Sequence, residues 1–147
     1  MAPAKHLEPL RPLIGRWRTF GTILDEDGSV AGEISGTDIY TWLPGGHWIV
    51  HEVDVRMGEE RTQVLELIGG RDDTSGGWQM HAFDTADNPG RMRLTIEGPG
   101  LLLLQGTGVR SWLRPEAGPD QMTTLWEREV IDQWIPWMDM HFEREAP

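Results

Sequence analysis

The stretch "GTDIYTWLPGGHWIVHEVDVRMG" (Gly36–Gly58) decides the fold class. Two β-prone runs flank "PGG" at 44–46, where proline and glycine supply turn geometry. In the second run Ile49, His51, Val53 and Val55 share one face, and Trp48, Glu52, Asp54 and Arg56 share the other. Such alternation marks a half-buried strand. The apolar face points in and carries His51 with it. A lone inward histidine is more often a hydrogen-bonded core residue than a catalyst.

The same punctuation recurs outward from this hairpin. Turn signals come about every ten residues, including "DEDGS" at 25–29, "MGEE" at 57–60, "DNPG" at 87–90, "GPG" at 98–100 and "PEAGPD" at 115–120. That spacing suggests a β-sandwich or barrel. Ten strands are expected, over 15–24, 34–43, 47–56, 61–68, 77–84, 91–97, 101–105, 109–114, 121–128 and 135–144. A short helical turn is expected near His6 to Leu13, limited by Pro9 and Pro12. A second helix signal lies in "EREVID" (127–132). An up-and-down meander of ten strands removes its edges by closing. A barrel of that size holds a ligand, whereas about eight strands are filled by side chains. The expectation is an all-β, ten-stranded antiparallel barrel over 1–147, a single domain with 1–13 as its helical lead segment.

Bulk composition narrows the function classes. The 147 residues carry a formal charge of −11, which repels phosphate backbones and anionic lipid heads. Neither nucleic acid nor a membrane is an expected partner. There are no cysteines, so disulfides and thiolate chemistry are excluded. No leader-like apolar run opens the chain, so the expected compartment is the cytoplasm. Eight tryptophans against one tyrosine make an indole-rich interior, suited to an apolar pocket.

Alternation assigns further faces. Trp78 and Met80 are expected inside, with His81 open. Gln63, beside Leu65 and Leu67, is expected to look inward. In 34–43, Asp38, Tyr40 and Trp42 oppose Ile39, Thr41 and Leu43, and the pattern leaves the choice open.

"IGRWRTFGT" (14–22) resembles the Gly-x-Trp-x-Gly-x-Gly opening strand of nitrobindin-like proteins. Gly15, Trp17 and Gly21 match, and Thr19 replaces the middle glycine. The run Gly36–Gly58 and the ending "WIPWMDMHFER" resemble a sister group, a lipocalin-like (calycin) bacterial family whose function is unsettled. The resemblance implies a ten-stranded barrel with a pocket at one end. Nitrobindins hold haem there through a histidine on the last strand, and Trp137 stands at that position. Haem is therefore disfavoured, and no cofactor is expected.

The resemblance also implies that Trp137, Asp139 and His141 point in. Met138, Met140 and Phe142 would then face out and need a cover, such as a second subunit in a homodimer. Alternation alone buries the apolar row instead. With the polar row inside, Asp139 and His141 form an acid–base pair that His51 completes. Tyr40, Trp42, Gln63, Trp78, Met80 and Trp137 would line the pocket. Two functions follow as expectations: binding of a small, largely apolar molecule, or a cofactor-independent isomerase, cyclase or hydrolase. No metal site is expected, because the five histidines are scattered.

Overall fold

The leucines of the lead segment recur every third residue, at positions 7, 10 and 13. A 3₁₀ helix has three residues per turn, so this spacing stacks them on one stripe. The computed structural model describes residues 2–72, 76–87 and 89–146. In it Lys5–Leu13 form a 3₁₀ helix containing Pro9 and Pro12. Leu7, Leu10 and Leu13 are at most 1% exposed.

Ten strands follow: β1 Gly15–Leu24, β2 Val30–Trp42, β3 Trp48–Met57, β4 Glu60–Asp72 and β5 Gly77–Asp84, then β6 Pro89–Gly98, β7 Leu101–Gly106, β8 Val109–Gly118, β9 Gln121–Val130 and β10 Gln133–Arg144. Each pairs antiparallel with its sequence neighbours, and β1 pairs with β10 to close a barrel. At that closing seam a Cβ on Gly21 would lie 2.1 Å from the carbonyl oxygen of Asp139. The glycine of the opening motif thus lets two backbones approach. The helix signal in "EREVID" is not realised. Residues 127–130 complete β9, and Ile131 and Asp132 form the hairpin tip at φ 48° and 61°. Pairing of β9 on both edges overrides a weak local helix preference.

The lead helix covers one end of the barrel. Trp17 Nε1 donates to the Leu13 carbonyl at 2.9 Å, and Trp78 Nε1 donates to that of His6 at 2.9 Å. Arg144 sits 4.2 Å over the Trp17 ring and donates to the Pro12 carbonyl at 3.2 Å. These contacts tie both chain ends to the plug. The turns β1–β2, β3–β4, β5–β6, β7–β8 and β9–β10 gather at the opposite, hairpin end.

The last strand reverses the orientation that the resemblance implies. Met138, Met140 and Phe142 are inside, at 5%, 6% and 5% exposure. Asp139 and His141 are on the outer wall, with side chains 53% and 47% exposed. Burying two thioethers and a phenyl ring outweighs burying two polar side chains that water can solvate. β4 also turns the other way. Gln63 is exposed and Leu65 is 44% exposed, while Val64, Glu66 and Ile68 face in.

Candidate functional site

A cavity of about 210 Å³ occupies the half of the barrel away from the helix. Its walls are mostly apolar. Val55, Leu104, Leu113, Met138, Met140 and Phe142 are among them, and Trp126 is the indole that reaches it. Met57 and Thr62, either side of the β3–β4 turn, also line it and place its mouth at the hairpin end.

Inward alternation on three adjacent strands brings a charged cluster to this cavity. His51 of β3 lies directly across from Tyr40 of β2 and Glu66 of β4. His51 Nδ1 is 2.9 Å from Glu66 Oε1, and Nε2 is 2.7 Å from Asp38 Oδ2. Thr19 donates its hydroxyl to Asp38 Oδ1 at 2.5 Å. Tyr40 stacks on the imidazole at 3.9 Å and 9°. Asp38 is 4% exposed, Tyr40 6%, Glu66 7% and His51 9%.

Burial is the largest single influence on His51 and opposes its charge. Hydrogen bonds that the ring donates to Asp38 and Glu66, then their negative charges, outweigh it and raise the pKa to about 9. With a proton on each nitrogen, the ring donates to both carboxylates. Tyr40 is shifted up as well, by burial first and then by the charges of Asp38 and Glu66. Two potential ligand contacts stay open. Among the described residues neither the Tyr40 hydroxyl nor Glu66 Oε2 has a hydrogen-bond partner. On the opposite wall the hydroxyls of Ser111 and Thr124 bond to each other.

The residues singled out from sequence divide sharply. His51, Tyr40 and Met80 line the cavity. Trp78 is buried beside the lead helix, and Trp42 packs partly buried against the core, with Arg11 5.9 Å from its ring. Gln63 lies on the outer wall. Trp137 falls at a β-bulge: Pro136 pairs with Glu127 and Met138 with Trp126, so the indole has no opposite number. It is partly buried against the core, with Arg128 6.0 Å from its ring. Asp139 and His141 do meet, at 3.5 Å, but outside the barrel, where His141 stacks on Phe20. They contribute nothing to the cavity.

Asp38, Glu66 and Thr19 are the site residues that sequence reading passed over. The signal for Glu66 is an acid on an otherwise apolar face, Val64-x-Glu66-x-Ile68. Thr19 fills the place of the motif's middle glycine and caps the cluster.

Among the described residues no group of three or more His, Cys, Asp or Glu could hold a metal ion. No helix among them is long and apolar enough to cross a membrane. No family model and no curated sequence matches the chain. Among solved structures it is similar to Rv2717c from M. tuberculosis, with a TM-score of 0.70 and 11% identity over 99% of this chain and 100% of that one. At that identity the likeness shows the barrel fold and nothing further.

Proposed function

We infer that the barrel binds a small, largely apolar molecule in the cavity at its hairpin end. The observation that carries this reading is the void itself. An apolar cavity of about 150 Å³ in another protein takes up benzene, and this one measures about 210 Å³. Drug-sized ligands usually need about 300–1,000 Å³, so the occupant is compact, near one ring with a short substituent. The polar groups are few and lie together on one wall, which would orient the molecule. Titration with ethylbenzene, followed by the part of the tryptophan emission that Trp126→Phe removes, tests the reading. Saturable quenching that Leu104→Phe removes supports it; unsaturable or unchanged emission contradicts it.

Haem, which the nitrobindin-like resemblance implies, does not fit. An iron ligand needs a nitrogen with a free lone pair. Both nitrogens of His51 are engaged by carboxylates, and position 137 carries an indole.

A second reading, acid–base catalysis in the same cavity, draws on the two open polar atoms. Glu66 would remove a proton α to a carbonyl while the Tyr40 hydroxyl donates to the carbonyl oxygen. Exchange of cyclohexanone α-protons in D₂O, read by NMR, tests it. Acceleration that is lost in Glu66→Gln supports catalysis; equal rates with and without protein exclude it.

A further inference from the structure

We propose that the preferred occupant is a compact apolar cation, with its charged group seated against Glu66 and the Tyr40 hydroxyl. This deepens the binding reading above and rests on it. Two carboxylates, Asp38 and Glu66, flank one imidazole, and among the described residues His51 is the only basic partner of either. Two acid side chains face one imidazole, so the cluster holds one acid more than it holds bases, in a place at most 9% exposed to water. Acid groups in such a place favour a paired cation.

The geometry identifies where that charge belongs. Each Asp38 oxygen already has a partner, Thr19 on Oδ1 and His51 on Oδ2. Glu66 Oε1 is taken by His51, and Oε2 remains. The Tyr40 hydroxyl, on a side chain 6% exposed, is also unpartnered among the described residues and belongs to the same cavity wall. A protonated primary amine has N–H donors for both oxygens. Its bond to Glu66 would be charge-assisted, about twice as strong as a neutral one. The remaining walls are apolar and accept a ring or short chain.

An anion is the competing occupant, because Arg128 faces inward on β9 near the mouth. Its Nη2 donates to the Leu24 carbonyl at 3.4 Å, and its Nε is buried without a partner among the described residues. Arg128 does not line the cavity, and its guanidinium lies beside Trp137.

Three near-isosteric probes separate the outcomes: benzylamine, ethylbenzene and benzoate, titrated calorimetrically into the full chain at pH 7.5. Benzylamine is expected to bind at least tenfold tighter than ethylbenzene, and benzoate not at all. Glu66→Gln should reduce benzylamine affinity at least tenfold and bring the ratio of benzylamine to ethylbenzene affinity down towards one. Ethylbenzene equal to benzylamine would overturn the cation preference while leaving the cavity reading intact. Benzoate binding in place of benzylamine would overturn it in favour of Arg128. Binding by none of the three would overturn both readings. The wild-type ranking decides the matter even where the Glu66 variant does not fold.

Discussion

The two ends of this barrel use the same inward alternation to opposite effect. At the helix end, Leu7, Leu10, Leu13, Trp17 and Trp78 fill the interior, and the two indole N–H groups donate to helix carbonyls. At the hairpin end, aliphatic and thioether side chains line a space they do not fill, beside the charged cluster. Stability is concentrated where packing is complete, and the chemically distinctive groups sit where it is not. A closed, fully packed end can hold a less completely packed end in place.

The largest expected effect breaks the filled end. Trp17→Ala removes a side chain at 0% exposure that anchors both the helix and Arg144. Urea denaturation should show a loss of about 3–5 kcal/mol. A loss under about 1 kcal/mol would mean that the plug is not part of the cooperative core.

The hollow end is probed by pH. The pKa of His51 rises from 6.5 to about 9 on folding. Its stabilisation is therefore complete below pH 6.5 and fades as pH climbs through about 9, by on the order of 3 kcal/mol. Tyr40, shifted upward too, extends the decline above pH 10. Glu66→Gln should flatten the profile between pH 6.5 and 9. A wild-type profile flat over that range would count against the clamped imidazolium.

One substitution made at both ends sharpens the contrast. Leu10→Phe adds volume to a site at 0% exposure and should cost about 1–3 kcal/mol through overpacking. Leu104→Phe adds the same volume beside the cavity and should cost less than about 1 kcal/mol while displacing ligand. Equal costs would indicate that the hairpin end is already full.

The smallest effect is expected outside the barrel. Asp139→Asn combined with His141→Gln should change stability by no more than about 0.5 kcal/mol and leave ligand titrations unaltered. A tenfold loss of binding would reinstate the outer pair as part of a site.

That outer pair also shows what the sequence can and cannot convey. Strand positions were legible because Gly, Pro, Asn and Asp mark the turns, and ten expected strands correspond to ten observed ones. The inward face of β3 was legible because Ile49, Val53 and Val55 leave little choice. β10 was legible from its own alternation, which buries Met138, Met140 and Phe142; the distant resemblance pointed the other way. The bulge at Trp137 moves the indole out of step with Asp139 and His141, and alternation has no marker for it. Glu66 was obscured because an inward acid looks unfavourable until its partner is known. That partner, His51, comes from another strand and becomes visible only with the register.

The protonation of His51 is the most direct test of the account. A ¹⁵N NMR titration of the imidazole should show protons on both ring nitrogens at pH 7.5 and a midpoint near 9. A midpoint near the ordinary 6.5, with one bare nitrogen at pH 7.5, would contradict it.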